Sequence, residues 1–169
     1  ELTNEGEVTI TGAHAYFTYV GTAPESQLHM REASITQGEF TLNQLNQLSF
    51  DETFQPSSSL TLHSHTLGEK PQWWDRIVAQ NSNSLKLDLD TITLPELTWL
   101  TQSTPLPRNL IVKRASLSHW PADSFDGDAR FRVDELTLSS GTSTLRHSLN
   151  IGKELHLGEN VTLDLSAPL

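Results

Sequence analysis

Residues 85–94, LKLDLDTITL, decide how this chain folds. Apolar side chains fall at Leu87 and Leu89, skip one position, and resume at Ile92 and Leu94. The same rhythm returns at Leu110, Val112, Ala115 and Leu117, and again at Phe131, Val133, Leu136 and Leu138. It is present earlier at Val8, Ile10, Ala13 and Ala15, and at Leu28, Met30, Ala33 and Ile35. Alternation with period two marks a strand with one buried face. A skipped beat would turn the second half of a straight strand to the wrong face. One extra residue, a β-bulge, restores the facing and kinks the strand. Two short strands meeting at a corner would also do so. The bulge is preferred because no turn residue stands at Asp90-Thr91 or Asp134-Glu135, and the glycine at Thr11-Gly12 suits a bulge too.

The pattern starts at Val8, Leu28, Leu87, Leu110 and Phe131, and neighbouring starts differ by 20, 23 and 21 residues. Fainter echoes lie at Leu48 and Leu155. A period of this size suits a β-solenoid, or a meander of strands about ten residues long. Solenoid coils usually keep a stricter identity at each turn, whereas this repeat keeps only polarity. The expected fold is therefore mainly β: a curved antiparallel meander of long bulged strands with one or two short helices. Residues 1–169 form a single β-rich domain. The chain starts at Glu1 without a methionine and is read as a fragment of a longer protein.

Local signals fill in the rest. Residues 70–80 (KPQWWDRIVAQ) place Pro71 at a helix start, with Trp73/Ile77 and Trp74/Val78 four apart. Residues 95–101 (PELTWLT) repeat the proline-led start. Leu42, Leu45 and Leu48 are spaced three apart, which could be helical, but strand is favoured through Phe50. Ser139-Ser140-Gly141 reads as a turn, and Gly158-Glu159 as the turn of a closing hairpin.

Composition narrows the function. The net charge is -10 and the 11 Lys and Arg are scattered, which speaks against a nucleic-acid groove and against electrostatic binding to anionic lipid. Cysteine is absent, so disulfides and thiolate metal sites are excluded. No apolar run is long enough to span a membrane within this chain.

Candidate chemistry is sparse. His63 and His65 share one face of a strand, about 7 Å apart, but no third ligand lies near in sequence. Two solvated histidines are the plainer reading. Asp123, Asp126 and Asp128 have the wrong spacing for a calcium loop and read as a polar turn. No nucleophile elbow and no glycine-rich phosphate loop occur. Trp73-Trp74 and Trp120 read as anchors of a core. The expectation is a protein that is not an enzyme, with no catalytic residues, metal or cofactor.

Residues 85–140 combine the strand LKLDLDTITL, the helix PELTWL, the strand NLIVKRASLS, a polar loop and DGDARFRVDELTLSSG. In this order they resemble the AsmA-like proteins of Gram-negative envelopes, where an LP-E-L helix precedes a basic-x-A-x-L strand and a strand ending L-x-L. The resemblance implies a periplasmic β-groove, anchored to the inner membrane by a segment outside this chain, that serves lipid transport or outer-membrane homeostasis. The groove lining would be Leu85, Leu87, Leu89, Ile92, Leu94, Leu110, Val112, Phe131, Val133, Leu136 and Leu138. The partners implied are lipid or another envelope protein. Two alternatives stand beside it. One is an adaptor that docks an envelope protein of a secretion or assembly system. The other is a carbohydrate-binding β-sandwich, which would hold Trp120 or Trp99 flat on the surface.

Overall fold

The computed structural model describes residues 1–12, 14–81, 84–103, 107, 109–121, 130–144 and 149–164. The strands are β1 (Leu2–Thr3), β2 (Glu7–Thr11), β3 (His14–Gly21), β4 (Gln27–Arg31), β5 (Ser34–Leu42), β6 (Leu48–Phe50), β7 (Gln55–Ser64), β8 (Leu85–Ile92), β9 (Asn109–Leu117), β10 (Arg130–Thr144) and β11 (Leu149–Asp164). The helices are α1 (Trp74–Asn81) and α2 (Leu94–Thr101), and a 3-10 turn covers Leu45–Gln47. The larger sheet has the order β1-β3-β5-β7-β8-β9-β10-β11, and a smaller one the order β2-β4-β6.

Every described pairing is parallel. This corrects the expected antiparallel meander. The repeat is the register itself: Val8 faces Leu28, Leu28 faces Leu48, Leu87 faces Leu110, and Leu110 faces Phe131. A parallel neighbour needs a crossover of a dozen or so residues between strands. The period therefore measures one strand plus its return path, not a hairpin. Alternating burial misleads here because parallel sheets usually bury both faces, whereas in this sheet the outer face stays wet.

The skipped beat has two structural outcomes. In the first coils it is a corner between two strands, the alternative to the bulge. β2 and β4 lie in the small sheet, and β3 and β5 follow them in the large one. Gly12 takes φ 119 at one corner and Glu32 takes φ 49 at the next. The Glu32 N–H donates to Thr53 Oγ1 at 2.9 Å, tying successive corners together. In β8, β9 and β10 the strand runs straight through the skip, and all three take it in phase. Leu89, Val112 and Val133 stay in register, and so do Thr91, Arg114 and Glu135.

After β6 the short strand is replaced by a helix. The edge of β6 would leave carbonyls unpaired. α1 and the turn before it supply the donors. The Trp73 indole N–H donates to the Leu48 carbonyl at 2.8 Å. The Arg76 guanidinium donates to the carbonyls of Phe50 and Asp51 at 3.0 and 2.7 Å. α2 starts where expected: the Thr93 hydroxyl accepts from the Glu96 N–H, and the Glu96 carboxylate accepts from the Thr93 N–H. The segment before β6 is a 3-10 turn, not the continued strand expected through Phe50.

One apolar core runs between the layers. Leu85, Leu87, Leu89, Ile92, Leu110, Val112, Phe131, Val133, Leu136 and Leu138 are all buried in it. Leu94 is half-buried and belongs to α2. Two expected turns are absent. β10 continues through Ser139-Ser140-Gly141, with Gly141 at φ 74, and β11 continues through Gly158-Glu159 as a register shift opposite Leu138/Ser140.

Candidate functional site

Two places on the molecule combine chemistry with access. The first is the outer face of the large sheet. Parallel in-register stacking makes the residues at one phase of successive repeats into neighbours across strands. At the skip these residues are Asp90 on β8, Lys113 and Arg114 on β9, Asp134 and Glu135 on β10, and Lys153 on β11. Their sign alternates from strand to strand. Lys113 Nζ donates to Asp90 Oδ1 at 3.0 Å, and Arg114 Nε lies 2.8 Å from Glu135 Oε2. Arg132 Nε donates to Asp134 Oδ1 at 2.7 Å along the strand.

The hydrogen bond from Lys113, helped by His65, holds the Asp90 carboxyl below its ordinary value despite partial desolvation. The same bond raises the Lys113 ammonium above its own. Two shallow clefts lie along this row, of about 640 and 490 Å³. Both are lined by His65, Asp90 and Lys113.

His63 and His65 do point to this outer face. His63 Nε2 lies 2.9 Å from Glu39 Oε1, and its Nδ1 lies 3.3 Å from Asp88 Oδ2. His65 Nδ1 lies 3.2 Å from Asp90 Oδ2. Each ring is thus engaged by carboxylates of neighbouring strands. Among the described residues no group of three or more His, Asp or Glu could hold a metal ion. Ser118 Oγ lies 2.9 Å from His119 Nδ1, but among the described residues no carboxylate orients that ring. The row is a ladder of ion pairs, and among the described residues it sets no nucleophile beside an oriented base. Asp123, Asp126 and Asp128 lie outside the described residues.

The second place is the last strand. β11 ends the strand order, and its far edge has no partner among the described residues. Leu149, Ile151, Leu155 and Leu157 stand opposite Phe131, Val133, Leu136 and Leu138. They continue the apolar face, yet the first three are only half-buried and Leu157 is 48% exposed. The face that is sealed at β10 opens at β11.

The tryptophans are not platforms. Trp120 is buried, with its ring edge-on to Phe131 at 5.4 Å. Its backbone N–H donates to Ser143 Oγ at 2.8 Å. Trp99 is half-buried, and its indole N–H donates to the Gly68 carbonyl at 3.0 Å.

Sequence reasoning placed the apolar rows but missed both the charge ladder and the β11 copy of the repeat. Gly152 splits that copy, so that Leu149-x-Ile151 and Leu155-x-Leu157 do not read as one strand. No helix of the described residues is long and apolar enough to cross a membrane. The chain matches no family model, no curated protein and no solved structure.

Proposed function

We propose that the chain is a non-catalytic module of an AsmA-like periplasmic protein, one section of a longer β-structure that shields or conducts lipid. The single observation that supports this reading is the apolar face, continuous in register from β7 to β11 and left open to solvent at β11. Burying that last row contributes about 25 cal/mol per Å² of apolar surface. An acyl chain is one occupant that would do so without needing a hydrogen-bonding partner. From β7 to β10 the face is filled by the protein's own side chains, so lipid contact falls at the open end. Placement in the envelope rests on the resemblance of residues 85–140. Native mass spectrometry after mild extraction tests the reading. Bound phospholipid is expected on the wild type and is lost in Leu157→Lys. A wild-type protein free of lipid contradicts it.

A second reading is an adaptor for another envelope protein. The filled interior and the open edge of β11 support it. An unpaired strand edge is a template for a further strand.

A further inference from the structure

We propose that the β11 edge receives an extended segment of a partner protein, added parallel to β11, with alternating apolar residues and an acidic residue level with Lys153. This deepens the adaptor reading by stating the chemistry of what docks. It does not require lipid.

Three observations carry it. First, β11 offers 16 residues of strand whose far side has no partner among the described residues. Parallel edges of this length are rarely left bare, because each unpaired N–H and C=O invites a neighbour. Second, the apolar row Leu149, Ile151, Leu155, Leu157 repeats the spacing that β9 presents to β10. A strand that fits β9 therefore fits β11 in side-chain phase. Third, the charges at the skip alternate by strand, and the series stops on a cation. Asp90 is answered by Lys113, and Arg114 by Glu135. Lys153 lines the same cleft but makes no ion pair among the described residues. Its neighbour Glu154 does not answer it, since Glu154 Oε2 lies 2.8 Å from His156 Nε2. The next strand in the series is acidic at this level.

The natural probe is a peptide copying residues 130–138, RFRVDELTL, the acidic strand that β9 already accepts. Its control carries Lys in place of both Asp134 and Glu135. Binding of the labelled peptides to the full chain is read by fluorescence anisotropy at low salt. The acidic peptide is expected to bind, with the control about fivefold weaker, the range set by an exposed ion pair. Lys153→Glu is expected to reverse the preference, and because Lys153 is exposed it leaves the fold intact. Equal binding of both peptides overturns the acidic specificity while leaving docking at the edge. No binding by either overturns both this inference and the adaptor reading. Self-association of the chain that the acidic peptide does not dissolve assigns the edge to a second copy, and also overturns it.

Discussion

Glu96 of α2 reaches back to Gly68 of the preceding loop, where its Oε2 accepts the Gly68 backbone N–H. Its Oε1 accepts from the Thr93 N–H at 2.9 Å and from the Thr93 hydroxyl at 2.7 Å. One buried carboxylate thus caps a helix and pins the loop that follows β7. Gly68 sits at φ 76, where a Cβ would meet Gln44 at 3.3 Å.

Removing that carboxylate leaves the Gly68 and Thr93 N–H groups without their acceptor. A lost cap costs about 1 kcal/mol, and a buried unsatisfied donor costs about 1–3 kcal/mol. Glu96→Ala is expected to lower stability by about 2–3 kcal/mol in urea unfolding, with Glu96→Gln restoring part of the loss. An Ala variant as stable as the wild type refutes this role.

Glu32 takes a left-handed backbone conformation, φ 49, at the corner between β4 and β5. A non-glycine residue there costs about 1–2 kcal/mol. Its side chain is exposed, so nothing is lost by removing it. Glu32→Gly is expected to raise the unfolding midpoint, by about 0.5–1 kcal/mol after allowing for the looser unfolded chain. A fall in stability would show that the corner depends on the carboxylate.

Asp90 and Lys113 give stability a predictable dependence on pH. The depressed Asp90 value means its contribution is present above the ordinary Asp value of 3.8 and fades as pH falls through the lower folded-state value. The raised Lys113 value means its contribution is present below the ordinary 10.5 and fades as pH rises through the higher one. Between these limits the exposed pair contributes about 0.2–1 kcal/mol. Lys113→Met is expected to lose that amount at neutral pH and to show less loss on acidification than the wild type. An unchanged acid limb contradicts the pairing.

Trp120 closes the core over β10. Trp120→Ala removes a buried indole from Phe131 and is expected to cost about 3–5 kcal/mol. Thermal unfolding measures it. A wild-type Tm for this variant would mean that the ring lies on the surface, as a sugar platform would require.

Much of the architecture was legible in the sequence, and the part that was not has a specific cause. Pro95 with Glu96 announced α2, and Leu87, Leu110 and Phe131 marked the buried rows. Strand direction was hidden because alternation reports which face is dry, not which way the neighbour runs. Yet a directional signal was present. Asp90, Lys113, Asp134 and Lys153 occupy one phase of successive repeats and alternate in sign. That order pairs opposite charges only if the repeats stack in parallel register. The open face at β11 was obscured by Gly152 and Gly158, which look like turns in sequence and are instead passed without reversal.

The central claim is that successive repeats stack parallel and in register, and β9 and β10 test it most directly. Ser116 pairs with Thr137 in the parallel sheet, whereas a hairpin closing through the intervening loop would set Ser116 beside Arg132. Paired strands lie about 4.8 Å apart, within the reach of a disulfide. The chain has no cysteine of its own, so engineered pairs report cleanly. Under mild oxidation, Ser116→Cys with Thr137→Cys is expected to crosslink, and Ser116→Cys with Arg132→Cys is expected to stay reduced. The opposite outcome would show antiparallel strands, and would remove the stacked repeat, the charge ladder and the β11 edge together.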